Sequence, residues 1–521
     1  MLNKVTHWDI LRVCPLFLLA LLPLTASAQL LHPHRCVGPS MEVTPEIRRL
    51  RANRKLFAPQ EEVQLPTSVD NSTTRYFPPV FNQVGGSCVH ASSIGYMFTY
   101  EMNRLLDRDA SKPENRMSYQ FAWNMLNEGE NDGGRMEDGL KLAKFYGIMS
   151  EADYGFSGVY SFAWATGYEK YVRAMHNRAT EILYFNDSVP LIKRYLYDAG
   201  RDEHPGGIVT FSVTTENWLI KSDYQGPSET GYHALLTKLG DNALTGHALT
   251  IVGYDDLVTY TDDNETPHTG AFIVCNSWGE DTHDRGRFYL PYDFFRDESR
   301  NELQLSNDLY AVRASVYQPR LVMRFSLTYS KRDELRFGIS TTKNPNHTLP
   351  IYAPKYDYIM YHKGGPFPMQ GQYKLKDMDV AFDASPRAPD GPDSLAKFFA
   401  HIYRQTKVNR KSGEGEVTGV ELIELVTDES NPSDMSVTPL RSWTYRGTLP
   451  ATIVTGTNAF AIPLRPRYRV SLSPMAWNVT SEYGNRATYR LRTANGRQAK
   501  FQVIPDADGK HAHIHYAVKK E

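Results

Sequence analysis

The chain has 521 residues, of which 41% are hydrophobic and 22% charged, and its formal net charge is -1. So small a net charge provides no long-range field to draw a nucleic acid or an anionic membrane surface. The short basic stretch from Ile47 to Lys55 precedes the first apolar-patterned region and reads as a solvated segment, so no nucleic-acid partner is expected.

At the amino terminus, Lys4 and Arg12 precede an apolar run from Pro15 to Leu24 that closes on Ala26, Ser27 and Ala28. This is the pattern of a cleaved signal peptide over residues 1–28. The run is too short to anchor in a bilayer, and no later stretch reaches the roughly twenty apolar residues a membrane span needs. The mature chain is expected to be secreted or periplasmic. It would keep Cys36, Cys88 and Cys275, an odd number and too few for a disulfide framework.

Residues 29–64 show no sustained periodicity and read as an N-terminal linker or short pro-segment, followed by an extended lead-in marked by Pro66, Pro78 and Pro79. From Ser87 onward Ala91, Ile94, Phe98, Met102 and Leu105 recur at helical spacing, which predicts a helix of about four turns with Cys88 in its first turn. The stretches "MSYQFAWNMLNEG" and "RMEDGLKLAKFYG" predict two more helices, stopping at Gly129 and Gly147. Beyond Gly206 the segments "GIVTFSV", "HALTIVGYD", "GAFIVCNSW" and "GRFYLPYDFF" read as paired, largely buried strands. From Leu321 helical pattern is almost absent. Segments such as "RLVMRFSLTYS", "KFFAHIYRQ" and "GVELIELVT", separated by Pro, Gly, Asn or Asp, predict an all-β sandwich with its boundary near residue 318.

A thiol attacks a carbonyl well only as thiolate, and the amino end of a helix favours that anion. Cys88 is predicted to stand there. A thiolate needs a base or cation beside it, and the strongest partners lie in "GHALTIVGYDD" and "VCNSWGED": His247 at the start of a strand and Asn276 at the end of one. An imidazole held by an amide carbonyl, and screened from water by the indole of Trp278, could face the sulfur across a cleft.

These residues resemble the papain family of cysteine peptidases. The resemblance runs through "LPTSVD" with "FPPVFNQ", the "SC" that opens the helix, "NDGG", "GHALTIVGYD" and "NSWG", all in family order over roughly residues 65 to 300. It implies an α+β fold, with a two-lobed catalytic domain over 65–318, one lobe helical and one β-barrel-like, before a β-sandwich domain over 319–521. It further implies Cys88 as nucleophile, His247 as base and general acid, and Asn276 as the group orienting His247. Gln83 and the Cys88 backbone N–H would form the oxyanion hole, Trp278 would shield the histidine pair, and Gly133 and Gly134 would present backbone to an extended peptide. The expected partner is a peptide or protein substrate, with no cofactor and no metal. In one respect the chain departs from the family, since Gln83 stands five positions before Cys88, one fewer than usual.

Several other features are read as structural. His90 is expected to pack or to lie at the surface on another helix face. His511, His513 and His515 alternate on one strand face after Asp506 and Asp508 but lack the fixed partners of a metal site. The acidic loop "YDDLVTYTDDNETPH" lacks the glycine and terminal glutamate of a calcium loop. The competing reading of the whole chain is a catalytically inactive papain-like protein that binds peptide or glycan. Acyl transfer to an amine is a third. Oligomeric state leaves no trace in the sequence.

Overall fold

The computed structural model describes residues 55–518 apart from 60, 131–132, 156–161, 242–245, 262–264, 298–303, 343–346, 348–363, 372–374, 388–395, 406–409, 428–430, 432–433, 464–479, 482–486, 493–497 and 506–511. The expected signal peptide, Cys36, Asp506, Asp508 and His511 lie outside the described residues.

Nine strands form the first sheet: β1 (Ser68–Asp70), β2 (Asn177–Phe185), β3 (Val209–Thr214), β4 (Leu219–Lys221), β5 (Leu235–Lys238), β6 (Gly246–Thr261), β7 (Pro267–Cys275), β8 (Arg287–Pro291) and β9 (Leu309–Val316). Their order is β2-β9-β3-β6-β7-β8-β5-β4, with β1 also on β6. All pairs are antiparallel except β5 with β8, which meet at Leu235 and Tyr289. In β6 the residues from His247 to Asp255 are buried without alternation, the signature of a strand covered on both faces.

One cover is a long helix, α1, built from Cys88–His90, Ala91–Phe98 and Thr99–Leu106. Its middle section is π-wound, and wide turns of that kind collect at functional sites. Small hydroxyl side chains let the helix approach the sheet closely. Ser92 Oγ donates to Leu249 O at 2.7 Å and also meets Thr210 and Thr250, while Ser93 Oγ bonds back to Val89 O at 2.6 Å. Helix α2 (Tyr119–Leu126) starts at Ser118, whose hydroxyl accepts from Phe121 N at 3.1 Å. Helix α3 (Met136–Phe145) ends before Gly147, where φ is 81° and a Cβ would lie 1.8 Å from Ala174 O, so only glycine fits.

Two further helices, α4 (Tyr168–His176) and α5 (Val189–Asp198), have no counterpart in the sequence reading. The segment before residue 64 is docked where it is described. Phe57 N donates to Tyr184 O at 2.8 Å, and the Phe57 ring packs against Phe185 and Tyr195 at 4.9 and 5.2 Å.

Beyond Val316 the chain forms separate sheets. A five-stranded sheet contains β10 (Leu321–Tyr329), β12 (Asp377–Asp383), β14 (Gly415–Leu425), β15 (Pro439–Thr444) and β16 (Ala451–Thr452). A three-stranded sheet contains β11 (Leu335–Thr342), β13 (Lys397–Arg404) and β17 (Gly456–Pro463). Phe337 of the three-stranded sheet meets Phe325 and Phe382 of the five-stranded one at 5.3 and 5.5 Å. The last four strands, from Thr480–Ser481 to Ala512–Val518, form a separate four-stranded sheet that contains His513 and His515.

The carboxy-terminal part is tied to the segment before α4 and to β2 by several contacts. Gly167 N donates to Asp379 O at 2.9 Å, Asp379 N donates to Thr166 Oγ1 at 2.9 Å, and Arg178 pairs with Asp383 at 2.9 Å. Fully buried Arg332 donates through Nε and Nη2 to Gly364 O at 2.8 and 2.6 Å, and its guanidinium lies 4.2 Å from the Trp164 ring. Phe367 stacks on Phe162 at 4.7 Å.

His401, buried in β13, bonds Ser340 Oγ through Nε2 at 2.7 Å, and burial pushes its imidazole down to about 4. In the unfolded chain the imidazole protonates near 6.5, so between about 6.5 and 4 the unfolded state binds more protons. Stability is therefore lost as pH falls through that window. His401→Gln is expected to flatten the fall in melting temperature on acidification from neutral pH to the lower end of that window. A variant melting curve as steep in pH as the wild type's would contradict this.

Candidate functional site

Strand register explains how distant residues meet. Thr250 of β6 pairs with Cys275 of β7, and continuing this antiparallel register by three residues sets Trp278 opposite His247. The two rings stack there with centroids 4.5 Å apart and planes inclined by 29°. The segment before α1 runs along the other side of this turn. Asn82 bridges Trp278, Gln83 N donates to Ser277 O at 2.7 Å, and Gly279 N donates to Phe81 O at 3.2 Å.

The tautomer of His247 follows from the backbone. Ser277 N–H can only donate and lies 2.7 Å from one side-chain atom of Asn276, so that atom is Oδ1. The same oxygen is 2.8 Å from His247 Nε2, which must then carry the hydrogen. Nδ1 of the neutral ring is left with its lone pair. His247 is 6% exposed and Asn276 fully buried, so this bond is sheltered from water.

Cys88 heads α1 and is 3% exposed; its helical turn packs against β6. The Ser92 to Leu249 bond sets the helix on that strand: it lies about 6 Å along the helix from Cys88 and about 7 Å along the strand from His247. Tyr96, one turn further, joins three elements. Its hydroxyl donates to Asn276 O at 3.1 Å and accepts from Phe81 N at 3.2 Å, and its ring stacks on Phe77 and Phe81. Burial raises the Tyr96 phenol well above its usual value, so it stays a neutral donor. Cys275, the other thiol among the described residues, is buried beside Asn276 and is pushed up to about 11, chiefly by burial.

Gln83 is half-buried, with Oε1 accepting from Ser277 Oγ at 2.6 Å and Nε2 donating to Gly85 O at 2.9 Å. One Nε2 hydrogen remains for another acceptor. Gly133 and Gly134 precede α3. A Cβ on Gly134 would lie 2.9 Å from His90 Nε2, and one on Gly139 2.6 Å from His90 Nδ1. His90 is therefore a buried packing residue clasped by two glycines, which gives Gly134 a structural role independent of any ligand.

Sequence reasoning missed two residues at this place. Trp218 sets its edge against Trp278 at 5.7 Å, and His283 accepts from Asn276 Nδ2 at 3.0 Å. His283 lies in a turn with φ 56°, and no sequence periodicity announces such a turn. Burial first, and the neighbouring His247 second, lower its imidazole to about 4.

Among the described residues no cluster of three or more His, Cys, Asp or Glu side chains is arranged to hold a metal ion. In the acidic loop Asp255 accepts from Glu229 N, Thr230 N and Leu257 N, and Asp256 pairs with Lys193; residues 262–264 lie outside the described residues. Among the described residues no helix is long and apolar enough to cross a membrane.

No protein-family model matches the chain. An uncharacterized peptidase C1-like protein of Acanthamoeba polyphaga mimivirus is 25% identical over 240 residues, which is 44% of this chain and 67% of that protein. Among solved structures, xylellain, a cysteine protease from Xylella fastidiosa, aligns with a TM-score of 0.36 at 20% identity, over 55% of this chain and 99% of that one. Digestive procathepsin L 3 from the larval midgut of Tenebrio molitor aligns with a TM-score of 0.34 at 16% identity, over 50% of this chain and 73% of that one. The bromelain protease of Ananas comosus aligns at 0.30 and 17% identity, over 48% of this chain and 99% of that one.

Proposed function

We propose that this protein is an exported papain-like cysteine peptidase that hydrolyses peptide bonds. The observation that carries the reading is the hydrogen bond from His247 Nε2 to buried Asn276 Oδ1 beneath Trp278, on a strand fastened to the helix that Cys88 heads. In this reading the His247 Nδ1 lone pair takes the Cys88 proton, and the resulting imidazolium is held by Asn276. The Cys88 thiolate attacks the substrate carbonyl carbon, and the oxyanion receives hydrogen bonds from the Cys88 backbone N–H and the remaining Gln83 Nε2–H. The bond to the leaving nitrogen then breaks as His247 returns the proton to it. Water, deprotonated by His247, attacks the thioester, and loss of the Cys88 sulfur frees the acid product.

The organisation proposed with it is a signal peptide over 1–28, a linker or short pro-segment over 29–64, a two-lobed catalytic domain over 65–318 and a β-sandwich over 319–521. Gly133 and Gly134 are proposed to present backbone groups to an extended peptide. The test is digestion of a random peptide pool by wild type and Cys88→Ala side by side, where equal cleavage by both would defeat the reading.

One contact favours a second reading, a peptide-binding protein without turnover: Gln83 Nε2 already donates to Gly85 O. Gln83→Ala separates the two. For a peptidase it is expected to lower kcat by about 10²-fold with little change in KM, the cost of one oxyanion donor. A protein in which Gln83→Ala changes nothing, and whose Cys88 reacts with electrophiles no faster than an ordinary thiol, would be the binder.

A further inference from the structure

Asn276 is fully buried, and its side chain makes three hydrogen bonds. Oδ1 accepts from Ser277 N and His247 Nε2, and Nδ2 donates to His283 Nε2 at 3.0 Å. Rotating the amide by half a turn would set a donor against the Ser277 N–H, so Ser277 fixes which way it points, and His283 Nε2 then receives the Nδ2 hydrogen and holds the amide from its other end. We propose that His283 is a positioning residue: by accepting the Asn276 Nδ2 hydrogen bond it locks the amide whose oxygen orients His247. The inference rests on the peptidase reading above and assigns a role to a residue outside the Cys88, His247 and Asn276 set.

His283 is itself held in place. Its ring lies 5.0 Å from Phe288, 5.9 Å from Trp218 and 6.3 Å from Trp278. The adjacent carboxylate of Asp284 is engaged elsewhere, accepting from His233 N and Arg285 Nε. Burial first, and the titratable neighbour His247 second, keep His283 neutral down to about 4. Its Nε2 lone pair thus stays available while His247 becomes positively charged. A second cation at this place would oppose that charge, which a neutral acceptor does not.

A merely space-filling ring makes a different prediction from an acceptor. His283→Phe keeps an aromatic ring and removes the lone pair; His283→Gln supplies an acceptor oxygen without the ring. In the full mature chain, with folding checked by thermal melting, we expect His283→Phe to lower kcat about tenfold with KM unchanged, the scale of one hydrogen bond. Alkylation of Cys88 by iodoacetamide near neutral pH should slow in parallel, and His283→Gln should recover most of both. Equal loss in the two variants, or a His283→Phe within twofold of wild type, overturns the assignment. If His283→Phe does not fold, His283→Met is judged by the same criteria. A wild type that alkylates fast at Cys88 yet cleaves no peptide defeats the peptidase reading and leaves alkylation to decide on His283, whereas a Cys88 as sluggish as an ordinary thiol overturns both.

Discussion

Replacing Cys88 by alanine is expected to lower peptide hydrolysis by about 10⁴-fold or more, because the sulfur is the atom proposed to bond the substrate carbon. The fold should survive the change. Cys88 is almost wholly buried, alanine is smaller, and it suits a helix start at least as well. Melting within a few degrees of wild type, together with lost cleavage of a peptide pool, is the expected pair of results. Cys275→Ala is the matched control, since that thiol is buried, pushed up to about 11 and turned toward Asn276 O at 3.6 Å. It should leave kcat within a few-fold. Loss of activity in Cys275→Ala with activity kept in Cys88→Ala would move the chemistry to the other sulfur.

The second large effect concerns stability. Arg332 has no exposed surface, and three of its nitrogens satisfy the carbonyls of Gly364 and Met369, the latter at 3.3 Å from Nη1. Its plane covers Trp164, which donates through Nε1 to Asn124 O at 2.9 Å. Burial lowers the guanidinium's affinity for its proton, so the charge is tolerated only because those carbonyls and the indole face surround it. Arg332→Met fills similar volume and strands the carbonyls, at a cost of about 3 kcal/mol. In a cooperative unit of about 200 residues, the size of the carboxy-terminal part, that is a drop in melting temperature of roughly 6 to 12 °C. Cleavage below the melting transition should persist. A variant as stable as wild type would mean that water or the backbone replaces the guanidinium at no cost.

Much of the site was legible because its chemistry is written in short segments. Cys88 opening a helix, His247 starting a strand and Asn276 ending one are local facts, and the structure brings His247, Asn276 and Trp278 together by strand register. His283 and Trp218 were not legible, because their contacts arise from turns that re-aim a side chain, and a left-handed residue such as His283 leaves no periodic mark. Tyr96 was hidden for the opposite reason. It looks like any apolar residue of an amphipathic helix, yet its hydroxyl binds both Phe81 and Asn276. Helix α4 escaped notice because it runs straight into β2 with no glycine or proline between His176 and Asn177. In the carboxy-terminal part short segments set off by Pro, Gly, Asn or Asp disclosed the strands, whereas Gly364 and Met369 are held by a buried arginine that no pattern of letters distinguishes from a surface one.

The serine bond between α1 and β6 carries a mechanical consequence. Ser92 engages Leu249 O, Thr210 and Thr250 in a dry interface, and pulling it away would expose all of these groups at once. The helix turn that carries Cys88 and the strand that carries His247 therefore move as one stiff frame. In the peptidase proposed above, room for a substrate has to come from loops away from this seam.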